Sequence, residues 1–162
     1  EAKWLFNLKT DQIDVLVHPQ SIIHSMVQFH DGSIKAQLGL PDMKLPILYA
    51  LSYPQRCKTD FPRLDFSTVT KLTFEQPDKG RFRNLALAYE AMEAGGNMPC
   101  ILNAANEVVV EAFLHDRISF PGMSDVIAKT MSGISFLKSP VYEDYVATDR
   151  EARRLAHTLL PR

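Results

Sequence analysis

Residues 17–43, "VHPQSIIHSMVQFHDGSIKAQLGLPDM", predict a β-hairpin followed by a rigid loop. Asp31 and Gly32 lie at the centre of this stretch, and the runs on either side alternate apolar with polar residues. An Asp-Gly pair between two alternating runs is typical of a tight hairpin turn, because such turns need residues that tolerate positive φ. We therefore expect antiparallel strands over residues 26–30 and 33–38.

The turn also predicts how the two strands pair. With Asp31 and Gly32 as a two-residue turn, Phe29 pairs with Ile34 and Val27 pairs with Ala36, so that all four side chains share one face. A shift of one residue would move each side chain to the other face. One face is expected to be core, and the other to be polar, solvated or functional.

Three histidines fall in this stretch, and His24 is the candidate functional one. His24 and His30 lie six residues apart, roughly 20 Å at the rise of a strand, so they cannot bind one metal ion. No HExxH or CxxC spacing occurs in the sequence. His24 is on the predicted polar face near Gly39, where "LGLPDMKLP" forms a loop stiffened by glycine and proline. Such a loop can form one wall of a ligand site. On spacing alone, a surface histidine with no role is the preferred interpretation.

The composition is that of an ordinary globular protein, with 162 residues, 46% hydrophobic, 23% charged and a net charge of −1. The balanced charge argues against a nucleic-acid or anionic-membrane binder. Cys57 and Cys100 are isolated and are interpreted as reduced thiols. No apolar run approaches the roughly 20 residues of a membrane span, and no signal peptide is visible. The opening "EAKWLFNL" lacks an initiator Met and a helix cap, so we expect a piece of a longer protein.

The rest of the chain predicts a connector and helices. "PILYALSYP" predicts a short helix with Pro46 at its first position. The apolar rhythm then fails as far as residue 81, although "TKLTFEQP" could add an edge strand. Four amphipathic helices follow and predict a small bundle, the third capped by Ser124 and the fourth opened by a capping box of Thr148 and Glu151.

Helical spacing gives the buried face of this bundle. The side chains expected in its core are Leu85, Leu102, Val109, Phe113, Leu155 and Leu159. Asn103 is interpreted as a partner in hydrogen bonding between helices, with ligand binding as the alternative. Glu107 is interpreted as part of a solvated helix face.

Beyond these patterns, several motifs together resemble one enzyme family. "HPQSIIHSMV", "LGLPDM", "LTFEQPD" and "ILNAANEVVVEAFL", in this order, resemble the 1-deoxy-D-xylulose 5-phosphate reductoisomerases, and the resemblance covers essentially the whole chain. It implies conversion of 1-deoxy-D-xylulose 5-phosphate to 2-C-methyl-D-erythritol 4-phosphate, in non-mevalonate isoprenoid biosynthesis. The implied cofactors are NADPH and Mg²⁺ or Mn²⁺.

The resemblance also implies an α+β architecture. Residues 1–58 would be the end of an α/β catalytic domain with its hairpin, 59–80 a connector, and 81–162 a four-helix C-terminal bundle. The NADPH-binding domain, the metal ligands and the flap would lie upstream. No catalytic residue and no metal ligand is therefore assigned to this chain, which alone is expected to be inactive and to bind neither cofactor.

Three residues match positions at the active site of the family. His24 corresponds to a histidine in the substrate pocket, and Pro41 and Met43 correspond to the loop that lines the pocket near the nicotinamide. The resemblance further implies a homodimer that needs neither nucleic acid nor membrane. It implies a cytoplasmic location, or a plastid one if the source is a plant. The alternative is a non-catalytic module for dimerisation or interaction.

Overall fold

The computed structural model describes residues 2–161, which form an α+β fold as predicted. The elements in chain order are α1 (Ala2–Phe6), a 3-10 turn (Thr10–Gln12), β1 (Ile23–Gln28), β2 (Ile34–Leu38), α2 (Lys44–Ser52), α3 (Arg83–Ala94), α4 (Met98–Leu114), α5 (Phe120–Gly133) and α6 (Tyr142–Leu159).

The chain divides into two compact units. The hairpin unit comprises residues 15–77, and the bundle unit comprises residues 2–14 together with residues 78–161. Most of the predicted connector, up to residue 77, thus lies inside the hairpin unit. The assignment of residues 1–58 to a catalytic domain remains a prediction, because compactness alone does not define a domain's role.

The hairpin is present, but its predicted register is wrong by one residue. β1 and β2 pair antiparallel with Gln28 opposite Ile34 and Val27 opposite Lys35. Phe29 lies beyond the end of β1, and its N–H donates to the carbonyl of Ser33 over 2.9 Å. Phe29 therefore shares a face with Val27 and Lys35, and Ile34 lies on the opposite face.

The error comes from the length of the turn, which has three residues instead of two. The Gly32 N–H donates to the Phe29 carbonyl over 2.9 Å, and Gly32 is the turn residue with positive φ, at 84°. A turn closed by one left-handed glycine is the usual three-residue hairpin loop. The Asp31 carboxylate accepts hydrogen bonds from the hydroxyl and N–H of Ser33, which lower the pKa of Asp31.

Among the described residues, neither face of the hairpin is buried. The prediction that one face belongs to the core is therefore wrong. Val27 and Ile34 are each 58% exposed, and Phe29 is 45% exposed. Their cross-strand neighbours are exposed too. A two-stranded sheet has no second layer of its own to cover its apolar side chains.

The segment after the hairpin contains one short helix and otherwise irregular chain. α2 begins at Lys44, so Pro46 is its third residue and not its first. The helix ends before Pro54, as predicted. The predicted edge strand in "TKLTFEQP" is reduced to a single antiparallel bridge between Val17 and Glu75.

Helices α3 to α6 form the predicted four-helix bundle. The buried apolar side chains come from all four helices and from the two loops that flank α5. They are Leu87, Ala91, Ile101, Ala104, Ala105, Val108, Val109, Ala112, Ile118, Met123, Val126, Ile127, Met131, Ile134, Ala152 and Ala156.

Of the six side chains predicted to be buried, only Val109 is fully inside. Leu102, Leu155 and Leu159 are partly buried against the core, and Leu85 is half-buried. Phe113 is 38% exposed, so the prediction that its side chain lies in the core is wrong. The buried stripe of α4 runs through Ile101, Ala104 and Val108, so its centre is turned away from Phe113.

Two predicted helix starts are also wrong. α5 begins at Phe120, and the hydroxyl of Ser119 caps it by accepting the Gly122 N–H over 3.2 Å. Ser124 is buried inside that helix. α6 begins at Tyr142, so Thr148 lies buried in mid-helix and opens no capping box. In both cases a residue type that often caps helices lies one or more turns inside the helix, and its position was mistaken for the start of the helix.

Asn97, which is fully buried, holds the loop between α5 and α6 to the turn between α3 and α4. Its side-chain N–H groups donate to the Ser135 carbonyl at 3.0 Å and to the Thr148 hydroxyl at 3.3 Å. Its side-chain oxygen accepts the Leu137 N–H at 2.9 Å. Next to it, the Leu137 carbonyl occupies the space where Gly96 would carry a Cβ, so the two backbones approach closely.

Candidate functional site

A β-bulge sets the position of His24 in the hairpin unit. The pairing of the strands shifts between Ile23 and Ser25, and His24 is the residue left without a partner on β2. A bulge bends a strand and re-aims the side chain that it carries. The Nε2 edge of the His24 ring lies beside Gly39, whose Cβ, if it had one, would be 3.8 Å from Nε2.

Gly39 joins the hairpin to the loop predicted to line a pocket. Its N–H donates to the carbonyl of buried Ile22 over 3.0 Å, which extends the strand pairing by one step. On the loop side, the side chain of Leu45 lies 3.7 Å from the same missing Cβ position. The structure therefore places His24 beside Gly39, where the loop begins, and its role as a pocket wall stays a prediction.

The loop itself is ordered by local hydrogen bonds. The Asp42 N–H donates to the Leu40 carbonyl at 2.8 Å, and the Asp42 carboxylate accepts the Lys44 N–H at 2.9 Å. Met43 precedes α2 and is 69% exposed, and Pro41 is exposed as well. An exposed thioether on an ordered loop can pack against a flat ring. Whether Pro41 and Met43 line a cofactor site remains a prediction.

The motif "HPQ" is hydrogen-bonded to the segment "LTF", a contact that the sequence patterns did not predict. The Nδ1–H of His18 donates to the Thr73 carbonyl at 2.8 Å, and the ring stacks on Phe74 at 4.9 Å. Gln20 exchanges hydrogen bonds with Thr73 through both ends of its amide. The only sequence signal was that both segments belong to the motifs that carry the family resemblance.

A polar cluster on α4 and α6 connects these two helices. Arg153 donates to Glu107 at 2.7 Å and to Asp149 at 2.8 Å, while Asn103 donates to Glu107 at 3.1 Å. The hydrogen bond from Arg153 is the main reason that the pKa of Glu107 is lowered. Glu107 is thus an ion-pair partner and not only a solvated side chain, and Asn103 bonds within its own helix. We interpret the cluster as structural.

A cavity of about 270 Å³ lies in the bundle unit, at the starts of α3 and α5. Its lining includes Arg81, Phe82 and Phe120, with the ion pair of Arg83 and Asp125 at 2.7 Å. The cavity contains none of the side chains that the sequence predicted for a site.

Residues 2–161 contain no cluster of three or more potential metal ligands among histidine, cysteine and acidic side chains. The side chains described here therefore do not fit a complete divalent-metal site, which needs several oxygen ligands together. Within the same residues, every helix is too short or too polar to cross a membrane. Cys57 and Cys100 are free thiols, and burial raises the pKa of Cys100.

Comparison with known proteins identifies this architecture. The fold defines an α+β class of protein in which a hairpin unit with an ordered loop is followed along the chain by a four-helix bundle. Residues 38–155 match the family described as the DXP reductoisomerase C-terminal domain, and the chain belongs to that family.

Named relatives agree with this family. The chain is 70% identical over 160 residues to 1-deoxy-D-xylulose 5-phosphate reductoisomerase of Bacteroides fragilis, which covers 99% of the chain and 41% of the relative. It is 55% identical to the Porphyromonas gingivalis enzyme, over 100% of the chain and 42% of the relative. The chain thus spans about two fifths of the length of these relatives.

Solved structures of the same enzyme have the same fold. The reductoisomerase from Zymomonas mobilis in complex with NADPH superposes with a TM-score of 0.86 at 43% identity, covering 98% of this chain and 42% of that one. A DOX-P reductoisomerase in complex with NADPH, fosmidomycin and magnesium gives a TM-score of 0.87 at 37% identity, covering 98% and 41%.

Proposed function

We propose that this chain is the C-terminal part of an NADPH-dependent reductoisomerase that converts 1-deoxy-D-xylulose 5-phosphate to 2-C-methyl-D-erythritol 4-phosphate. The single observation that carries this proposal is the identity of 70% to an enzyme of that name along 99% of the chain. The reaction is a skeletal rearrangement followed by hydride transfer, and it would serve non-mevalonate isoprenoid biosynthesis.

In this proposal the hairpin unit supplies one wall of the active site. His24 would face the substrate, where its imidazole can donate or accept a hydrogen bond. Pro41 and Met43 would face the nicotinamide, where an apolar, polarisable side chain excludes water from the hydride path. The convergence of His24 and the loop at Gly39 supports this arrangement.

The cofactors belong to the whole enzyme. NADPH supplies the hydride, and Mg²⁺ or Mn²⁺ polarises the substrate oxygens when bound. Since the described residues do not form a metal site, the metal ligands would be supplied by residues outside this chain. We also propose a homodimeric enzyme in the cytoplasm that needs no nucleic acid or membrane; the bacterial source of the named relatives supports this location.

The test compares the 162-residue chain with the full-length enzyme that contains it. Each purified protein is mixed with NADPH, 1-deoxy-D-xylulose 5-phosphate and Mg²⁺ or Mn²⁺, and NADPH absorbance is followed. We expect turnover with the full-length enzyme and none with the chain alone, because hydride transfer needs a bound nicotinamide and the rearrangement needs a bound metal, and the groups proposed to bind both lie outside this chain. No turnover by the full-length enzyme would refute the proposal.

The second candidate is a non-catalytic module for dimerisation or interaction. The observation in its favour is the exposed apolar surface of the hairpin, where Val27 and Ile34 are each 58% exposed. Sedimentation of the isolated chain distinguishes a self-associating module from a monomeric piece.

A further inference from the structure

The proposed function makes no use of the cavity at the starts of α3 and α5. Its volume of about 270 Å³ lies just below the roughly 300–1,000 Å³ of typical small-molecule sites. A space of this size suits a ligand of one ring with a short polar arm. All the residues that line it belong to the bundle unit.

Two phenylalanine rings form the apolar part of the wall. The centroids of the Phe82 and Phe120 rings lie 6.4 Å apart, and the ring planes are at 81° to each other. Phe82 is 43% exposed and Phe120 is 49% exposed, although phenylalanine is among the residues most often buried. Rings exposed in this way can take a third ring in an edge-to-face or offset-stacked arrangement. The apolar part of the cavity therefore suits a flat aromatic group.

The polar part of the wall carries more positive than negative charge. Arg81 and Arg83 both line the cavity, and the one carboxylate that lines it, on Asp125, pairs with Arg83 at 2.7 Å. Within residues 2–161, Arg81 has no carboxylate at ion-pair distance. Its guanidinium carbon lies 5.6 Å from the centroid of the Phe82 ring. A guanidinium can bind a carboxylate through two parallel hydrogen bonds, so Arg81 is the group that would recognise an anion.

The turn that carries Arg81 and Phe82 is ordered by the residue that precedes it. The Asp78 carboxylate accepts the N–H groups of Gly80 and Arg81, each at 2.9 Å. The Asp78 carbonyl accepts the Phe82 N–H at 2.8 Å. The opposite wall is α5, which the ion pair described above connects to α3. Walls held in this way lose little conformational entropy when a ligand binds.

We propose that this cavity binds a small aromatic carboxylate, with its ring against Phe82 and Phe120 and its carboxylate on Arg81. Both features of the ligand are needed, because a solvent-exposed arginine alone holds an anion only weakly. The ring supplies apolar contact, and the carboxylate fixes the orientation of the ligand. This inference uses residues of the bundle unit alone, so it does not depend on the proposed function.

The test measures the binding of 3-phenylpropanoate to the full-length enzyme by isothermal titration calorimetry. We expect a dissociation constant on the order of 1 mM, which suits a ligand with one ring and one charge-assisted contact. Two matched probes separate the contributions. 3-Phenylpropanol keeps the ring without the charge, and propanoate keeps the charge without the ring. Each should bind at least about 10-fold more weakly than 3-phenylpropanoate.

Substitution of Arg81 shows whether the probe binds in the cavity. Arg81→Gln should weaken the binding of 3-phenylpropanoate at least about 10-fold and change that of 3-phenylpropanol less than about 2-fold, because only the first carries a carboxylate. The matched control is Arg150→Gln, which removes an exposed guanidinium from α6 and should leave both affinities unchanged. The thermal midpoints of both variants should match that of wild type, since both side chains are exposed.

Several results would overturn the inference. The wild-type enzyme could fail to bind 3-phenylpropanoate at concentrations up to roughly 10 mM, ten times the expected dissociation constant. Equal affinity for the acid and the alcohol would show that the carboxylate is not recognised. Unchanged binding by Arg81→Gln would place the probe elsewhere on the enzyme. Binding to the 162-residue chain but not to the full-length enzyme would show that another part of the enzyme fills the cavity.

Discussion

At the scale of single residues, Asn97 carries the most hydrogen bonds of any buried side chain in the described chain. Asn97→Ala would leave the Leu137 N–H and the Ser135 carbonyl without their partners. Losing the partner of a buried polar group costs about 1–3 kcal/mol. We expect the free energy of unfolding, measured by urea denaturation, to fall by that amount. Asn106→Ala, in the middle of the helix α4 that follows Asn97, is the control and should change the free energy of unfolding less.

Glu107 gives a pH-dependent prediction with a definite sign. Its pKa is lowered in the folded state, so its contribution to stability is present above the ordinary glutamate pKa and is lost as pH falls through the lowered value. Glu107→Gln should therefore be less stable than wild type at neutral pH, and the difference should vanish in acid. Urea denaturation at several pH values measures this, with Glu111→Gln as the control. A difference that persists in acid would contradict the prediction.

Residue-level roles were the hardest to predict from sequence. Thr148 and Glu151 have the spacing of a capping box, but the helix had already begun at Tyr142. The spacing allows a capping box, but a capping box forms only where a helix begins, and the turns before Thr148 are already helical. His24, by contrast, does lie beside Gly39 as expected, because Asp31 and Gly32 locate the hairpin from local sequence alone and the two residues lie at its open end.

At the scale of elements, the hairpin depends on its single left-handed residue. Gly32→Ala forces a Cβ into positive φ, which costs roughly 1–2 kcal/mol. We expect faster hydrogen exchange at the Phe29 N–H, which is bonded to Ser33 across the turn. Gly32→Asn should exchange more slowly than Gly32→Ala, because asparagine tolerates this conformation. Equal rates for the two variants would show that the turn does not limit local opening.

The packing of α5 on α6 can be tested at Gly133 and Leu155. A Cβ on Gly133 would lie 2.7 Å from Cδ2 of Leu155, so Gly133→Ala should lower the free energy of unfolding unless Leu155 can move. Leu155→Ala alone should cost about 2 kcal/mol, the low end for core leucines, because the side chain is only partly buried.

The double variant should be more stable than the sum of the single effects predicts, because the shortened side chain removes the clash. Thermal denaturation of the four proteins gives the coupling. Strict additivity would mean that the two residues do not touch in solution.

The elements were predicted with uneven success for a physical reason. α4 is long and strongly periodic, so its existence and its buried Val109 followed from the pattern. The hairpin register did not, because an Asp-Gly pair is compatible with turns of two or three residues. Only the bond from Gly32 to Phe29 distinguishes them, and that bond is a property of the folded turn.

At the scale of the whole molecule, the buried apolar side chains are distributed unequally. Among the described residues, Ile22 is the only buried one in the hairpin unit, and the other sixteen form the core of the bundle unit. Since burial is the main source of stability, amides of α4 and α5 should exchange most slowly in the isolated chain and those of β1 and β2 much faster. Equal protection in both units would contradict this distribution.

The hydrogen bonds of Asn97 also bear on how the bundle would respond to cleavage of the chain between α5 and α6. The loop between α5 and α6 is attached through Ser135 and Leu137, upstream of Lys138. A protease that cleaves after Lys138 would sever the covalent link to α6, but α6 would stay packed on α4 and α5 and bonded to Asn97 through the Thr148 hydroxyl. Such a nicked protein would run as two fragments in denaturing gel electrophoresis and as one particle in size-exclusion chromatography.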